Sequence, residues 1–234
     1  MIRLIHCLTL LIFVTLSLSL FAEQESAPFD RDYYSIGHVQ VEKIAEVPLL
    51  LRASPNKGEA GTLGEVIMVA DKLIALGQKI WPIVKAGKPV IDAQFNGLSV
   101  IPPGLAQDNF GFDRLFSWSA PKAVHYQVTY KNLYGITVAQ FIYSINFQYA
   151  GATAQGGQYI TGLKVIPQMI GVSWGFTFNA SAQLNAITNR GSAQDPIAGA
   201  TLEISYSLSS VIKEIRSQNT FHVTGRGEII NLNP

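Results

Sequence analysis

The side chains able to do chemistry are few and scattered. His38, His125 and His222 lie beyond the first apolar stretch, and neutral imidazole is the commonest ligand for zinc and copper. None of them has a second His, Cys or carboxylate at metal-site spacing, so isolated rim or surface positions are expected. Asp108, Asn109 and Asp113 put three hard oxygen donors into one short loop, the kind of set calcium takes, and they are the candidate metal ligands. Their spacing departs from that of an EF-hand, and Asp and Asn also serve as plain turn residues.

Gly171-Val172-Ser173-Trp174-Gly175 has the letters of a nucleophile elbow. That motif requires a strand ending in a sharp turn into a helix. Here alternation of apolar and polar residues runs from Ile170 through Ser173 to Ala180, which predicts one half-buried strand with Ser173 in its middle. No catalytic residue is assigned. No glycine-rich phosphate loop precedes a helix and no carboxylate pair stands out, so no cofactor is expected; a dispersed catalytic site of Asp and His from loops would leave no local signature. The aromatic residues Phe110, Phe112, Phe116 and Trp118 share the loop 105–119 with the three oxygen donors, and are the candidate ligand-binding residues.

The chain has 234 residues, with 17 Lys and Arg against 16 Asp and Glu. This balance offers no electrostatic footprint for nucleic acid, and no nucleic-acid partner is expected. The first residues set the compartment. Arg3, an apolar run from Leu4 to Phe21, and Ala22 before Glu23-Gln24-Glu25 have the layout of a secretory signal peptide over 1–22, with an uncleaved anchor as the alternative. Removing it removes Cys7, the one cysteine, so the exported chain folds without disulfides. A periplasmic or secreted location follows, with the outer membrane as the alternative.

The elements that must position these residues come next. Residues 23–61 are expected to form an N-terminal arm and a strand from Gly37 to Ala45, in one domain with 62–234. Thr62 and Glu65 have the spacing of a capping box, and Val66, Val69, Leu73, Ile74, Ile80 and Trp81 fall on one side of a helical wheel, so an amphipathic helix is expected from Thr62 to the Pro82 break. Lys72, Lys79, Lys85 and Lys88 lie towards its other side, which would suit a membrane surface, although packing on a sheet is the commoner use. From Ala123 the chain alternates almost throughout. Strands are expected at 123–130, 135–149, 159–166, 200–211, 220–224 and 228–232, with a long small-residue tip at 150–157.

The expected fold is mainly β: an antiparallel β-sandwich with one amphipathic α-helix packed against it, the alternative being a small β-barrel. Its core is expected to join Trp174, Phe176 and Phe178 to Val66, Leu73 and Ile80. The charged fraction is 14%, below the usual quarter, and the polar strand faces are Ser, Thr, Asn, Gln and Gly. Such a face is covered, binds a neutral ligand, or lines an aqueous interior. The expected function is non-enzymatic binding, an exported protein contacting an envelope component or surface; the alternative is a membrane-interacting β-protein, an outer-membrane barrel or a pore former.

Overall fold

Alternation draws most of the chain into strands, and two antiparallel sheets meet over their apolar faces. The computed structural model describes residues 29–48, 66–90, 97–106 and 114–233; the expected signal segment 1–22, Thr62 to Glu65, and Asp108, Asn109, Phe110, Phe112 and Asp113 lie outside the described residues. Residues from 32 onward form a compact unit of their own.

The elements are α1 (Arg31–Tyr34), β1 (Ile36–Pro48), β2 (Val66–Ala70), β3 (Leu73–Leu76), β4 (Ile80–Lys85), β5 (Lys88–Pro89), β6 (Leu98–Ile101), α2 (Pro103–Ala106), β7 (Lys122–Asn132), β8 (Thr137–Thr153), β9 (Gly156–Val172), β10 (Phe176–Asn189), β11 (Ala198–Ser210), β12 (Glu214–Thr224) and β13 (Ile229–Asn231). The first sheet runs β1-β7-β8-β9-β6-β3-β2 and the second β13-β12-β11-β10-β4-β5. The two remain separate sheets, and among the described residues none closes into a barrel.

Alternate residues of β7 and β8 (Tyr126, Val128, Tyr130, Phe141, Tyr143, Ile145, Phe147) face alternate residues of β10, β11 and β12 (Phe178, Leu202, Ile204, Tyr206, Leu208, Phe221), all of them buried. The sheets interlock through rings: Phe141 and Phe178 lie 5.3 Å apart and Tyr126 and Phe221 4.6 Å, distances at which offset and edge contacts are favourable. Tyr206 donates a hydrogen bond to the Tyr143 hydroxyl at 2.8 Å, and Tyr130 shares one with Ser217 at 2.7 Å. Each buried phenol is therefore satisfied, and burial raises the pKa of all three.

Three expectations are corrected. The helix expected after Thr62 is absent: Val66–Ala70, Leu73–Leu76 and Ile80–Lys85 are separate strands. All four residues of β3 are buried, and a run buried on both faces has no period of two, so its apolar residues match a helical wheel by chance. Lys72 at φ +62° and Gly77 at φ +130° turn the chain between these strands. Accordingly Leu73 is in the core, while Ile80 is 61% exposed.

The strand expected across 170–180 is two strands. β9 ends at Val172 and β10 begins at Phe176, with Gly175 at φ +82° between them. Phe178 and Phe176 are buried, but Trp174 is 83% exposed. The tip expected at 150–157 is also tighter, because β8 continues to Thr153 and β9 starts at Gly156.

Candidate functional site

Where the β7–β8, β9–β10 and β11–β12 turns meet, large apolar side chains stand in solvent. Leu133, Tyr134 and Ile136 belong to the first turn, Trp174 to the second, and Val211 and Ile212 to the third; all are exposed. The pairing puts the three turns at one end of the sandwich: Tyr130 pairs with Ala139 and Ala139 with Val172 in one sheet, Phe176 with Ser210 and Ser209 with Glu214 in the other.

Each turn is built to hold its apolar residues outward. Asn132 is buried, and its Oδ1 accepts from the amides of Tyr134 (3.1 Å) and Ile136 (2.9 Å) while its Nδ2 donates to the Tyr33 carbonyl (3.2 Å). An Asn side chain closing a turn on itself in this way replaces hydrogen bonds the ladder would have made. Ser210 does the same for the third turn, its Oγ accepting from the amides of Ile212 (3.2 Å) and Lys213 (3.3 Å). In the second turn the Ser173 amide donates to the Val138 carbonyl and the Phe176 amide to Ser173. Ser173 thus lies in a strand-to-strand turn, which leaves the elbow geometry absent. Gly175 is required twice over, by its positive φ and because a Cβ there would come within 2.5 Å of the Tyr34 ring.

That close approach seats an aromatic group on the end. Tyr33 and Tyr34 lie 5.1 Å apart edge to face, Tyr34 is 6.5 Å from Trp174 and 5.9 Å from Phe176, and Tyr33 is 5.8 Å from Phe176. Phe176 is the buried root and Trp174 the exposed tip.

Lysines surround the tips. Lys131 precedes Asn132, Lys213 lies in the third turn, and Lys85 and Lys88 face each other across the β4–β5 turn. That turn belongs to the same end, since the Gly87 amide donates to the Phe178 carbonyl and Gly87 lies beside Val172. None of the four is in an ion pair among the described residues. Arg216, by contrast, is held by Glu214 at 2.9 Å, and that hydrogen bond raises its pKa.

The uncharged polar faces point to solvent on the outside of the sandwich. On the second sheet Ser181, Ser205 and Ser207 form a low floor, and Pro82, Lys85, Asn179, Arg216 and Gln218 rise around it, leaving an open depression of about 660 Å³. Its rungs follow the register: Asn179 beside Ser207 beside Arg216, and Ser181 beside Ser205 beside Gln218.

The residues singled out from sequence lie elsewhere and apart. Trp118 covers Gly151, where a Cβ would come within 2.3 Å of its ring, and Phe116 pairs with Ala152 in an isolated bridge; both sit at the opposite end. His38 is exposed on β1, His125 is on β7, and His222 is buried on β12. The His222 Nδ1 lies 2.9 Å from the Thr201 hydroxyl. Burial, then the Arg190 charge, lowers its pKa, with Glu228 opposing. No group of three His, Cys, Asp or Glu able to hold a metal exists among the described residues.

The turn end was missed in the sequence because an unbroken alternation hid Trp174 within a strand. The signals that would have found it are Leu133-Tyr134-Gly135-Ile136 and Val211-Ile212, apolar residues where turns should be polar. No known family model, curated protein or solved structure matches this chain.

Proposed function

We propose that this is an exported, non-enzymatic binding protein that docks through the turn end of its sandwich onto a surface of the cell envelope. The observation that carries this is the gathering of exposed Leu133, Tyr134, Ile136, Trp174, Val211 and Ile212 on three adjoining turns. Scattered single apolar residues on a surface need no explanation, but six of them on the turns at one end of a sandwich do. The first of these turns uses a buried hydrogen-bonding side chain, Asn132, to keep its part of that group in the open. The rigid two-sheet body then serves to hold three short tips in a fixed arrangement.

The test is retention on washed cell envelopes, comparing the protein with a Trp174→Ser/Ile212→Ser variant. Each side chain removed from water is worth about 1.5–3 kcal/mol when fully buried, so even partial burial makes the variant at least ~10-fold weaker in retention. Both positions are exposed, and the melting temperature should stay unchanged. Equal retention of a folded variant would remove the turn end from the function.

A further inference from the structure

We infer that the surface this end docks on is an anionic lipid leaflet, with the tips at 133–136, 174 and 211–212 entering the interfacial layer while Lys85, Lys88, Lys131 and Lys213 meet lipid phosphates; this rests on the docking role proposed above. Four observations carry it. First, the exposed group combines aliphatic side chains with Trp174 and Tyr134, with half-buried Tyr34 beside Trp174, and Trp and Tyr are the residues that settle at a membrane–water interface because one part of the ring is apolar and another polar.

Second, the apolar residues stand on three separate turns rather than forming one continuous groove. A fluid interface accepts three points without a shaped counterpart, which a folded partner would have to supply. Third, Lys85 and Lys88 are directly opposite each other in the β4–β5 pairing. Like charges facing across a strand pair destabilise it, and no ion pair among the described residues offsets the repulsion, Glu214 of the neighbouring depression being held by Arg216. A layer of phosphates does, for these two as for Lys131 and Lys213, and long lysine stems can lie along the apolar tips while the ammonium reaches the headgroups.

Fourth, the backbone of the turns is largely satisfied from within. The amides of Leu133, Tyr134, Gly135, Ile136, Ser173, Phe176, Ile212 and Lys213 all donate to protein acceptors. Unpaired amides are what ordinarily keep turns out of a layer poor in water. The mode is peripheral docking: no helix among the described residues is long and apolar enough to cross a membrane, and the strands keep their apolar faces against each other.

The test is flotation of the protein, with the same N-terminus in every variant, on vesicles of phosphatidylcholine alone and of phosphatidylcholine mixed with phosphatidylglycerol. Binding to the mixed vesicles, weakened by added salt and accompanied by a blue shift of tryptophan emission that Trp174→Phe abolishes, is the expected result. Each lysine near an anionic surface strengthens binding about fivefold, so neutralising Lys85, Lys88, Lys131 and Lys213 together to Gln weakens it by ~10²-fold or more. Circular dichroism and melting of each variant check that it folds. Equal binding to both vesicle types overturns the anionic specificity. No binding to either, while washed envelopes still retain the protein through Trp174 and Ile212, overturns the lipid inference and leaves the docking role standing; loss of both takes the docking role with it.

Discussion

Tyr206 and Tyr143 meet between the sheets through one hydrogen bond, at 2% and 0% exposure. Removing the donor leaves the Tyr143 oxygen buried without it, and an unsatisfied buried group costs more than a hydrogen bond gains. Tyr206→Phe should therefore lower unfolding stability by about 1–3 kcal/mol. The double variant Tyr143→Phe/Tyr206→Phe should lose less than the sum of the single losses, because the second change removes the orphaned group. Urea denaturation of the four proteins measures this, and strict additivity would mean the hydroxyls do not depend on each other. At this scale the sequence was legible for β7, β8 and β11, where alternation predicts strands at 123–130, 135–149 and 200–211 and so puts Tyr126 with Tyr130, and Phe141 with Tyr143, on one face. It was not legible for Trp174, because a turn residue that continues an alternation by coincidence is indistinguishable from a strand residue until Gly175 adopts its positive φ. The sheet partners of His125 and His222 were equally hidden, since those contacts join distant parts of the chain.

Among the elements, the β7–β8 turn is closed by one buried side chain, Asn132, together with its backbone bonds. Asn132→Ala loses two accepted bonds and one donated bond from a buried position, and its expected cost is about 2–4 kcal/mol. Denaturation should show that loss, and retention on envelopes should fall as well, because Leu133, Tyr134 and Ile136 lose their fixed positions. A variant as stable as the parent would show the turn is held by its flanking strands instead. The short strands β2, β3 and β4 explain the largest sequence error. Helix and strand differ in period only when one face is wet, and β3 has no wet face. The Thr62 and Glu65 capping pattern is locally valid chemistry, yet the residues after it are rich in Val and Ile, which favour strands once tertiary partners are available.

For the whole molecule, the sandwich was recoverable because its long strands are one-sided and its turns short, whereas strand order and the pooling of three turns at one end arise from pairings that no local pattern encodes. Its alkaline limit follows from the core. Burial raises the pKa of Tyr130, Tyr143, Tyr159 and Tyr206, so the folded state holds these protons while an unfolded chain releases them near pH 10. The unfolded state then binds fewer protons, and stability is complete below about pH 10 and falls as pH rises beyond it. Of the nine tyrosines, these four should ionise only together with loss of the far-ultraviolet signal, which an alkaline titration followed by tyrosinate absorbance and circular dichroism would reveal; smooth ionisation of all nine in a folded protein would contradict it. The β9–β10 turn has one more consequence. It carries the chain directly from the first sheet into the second, with Trp174 at its tip. A pull on a tip held at a surface would therefore run down the strands of both sheets at once, loading each ladder of hydrogen bonds in shear so that its bonds must fail together rather than one by one. If the turn end docks as proposed, the load reaches the body along its strands rather than across them.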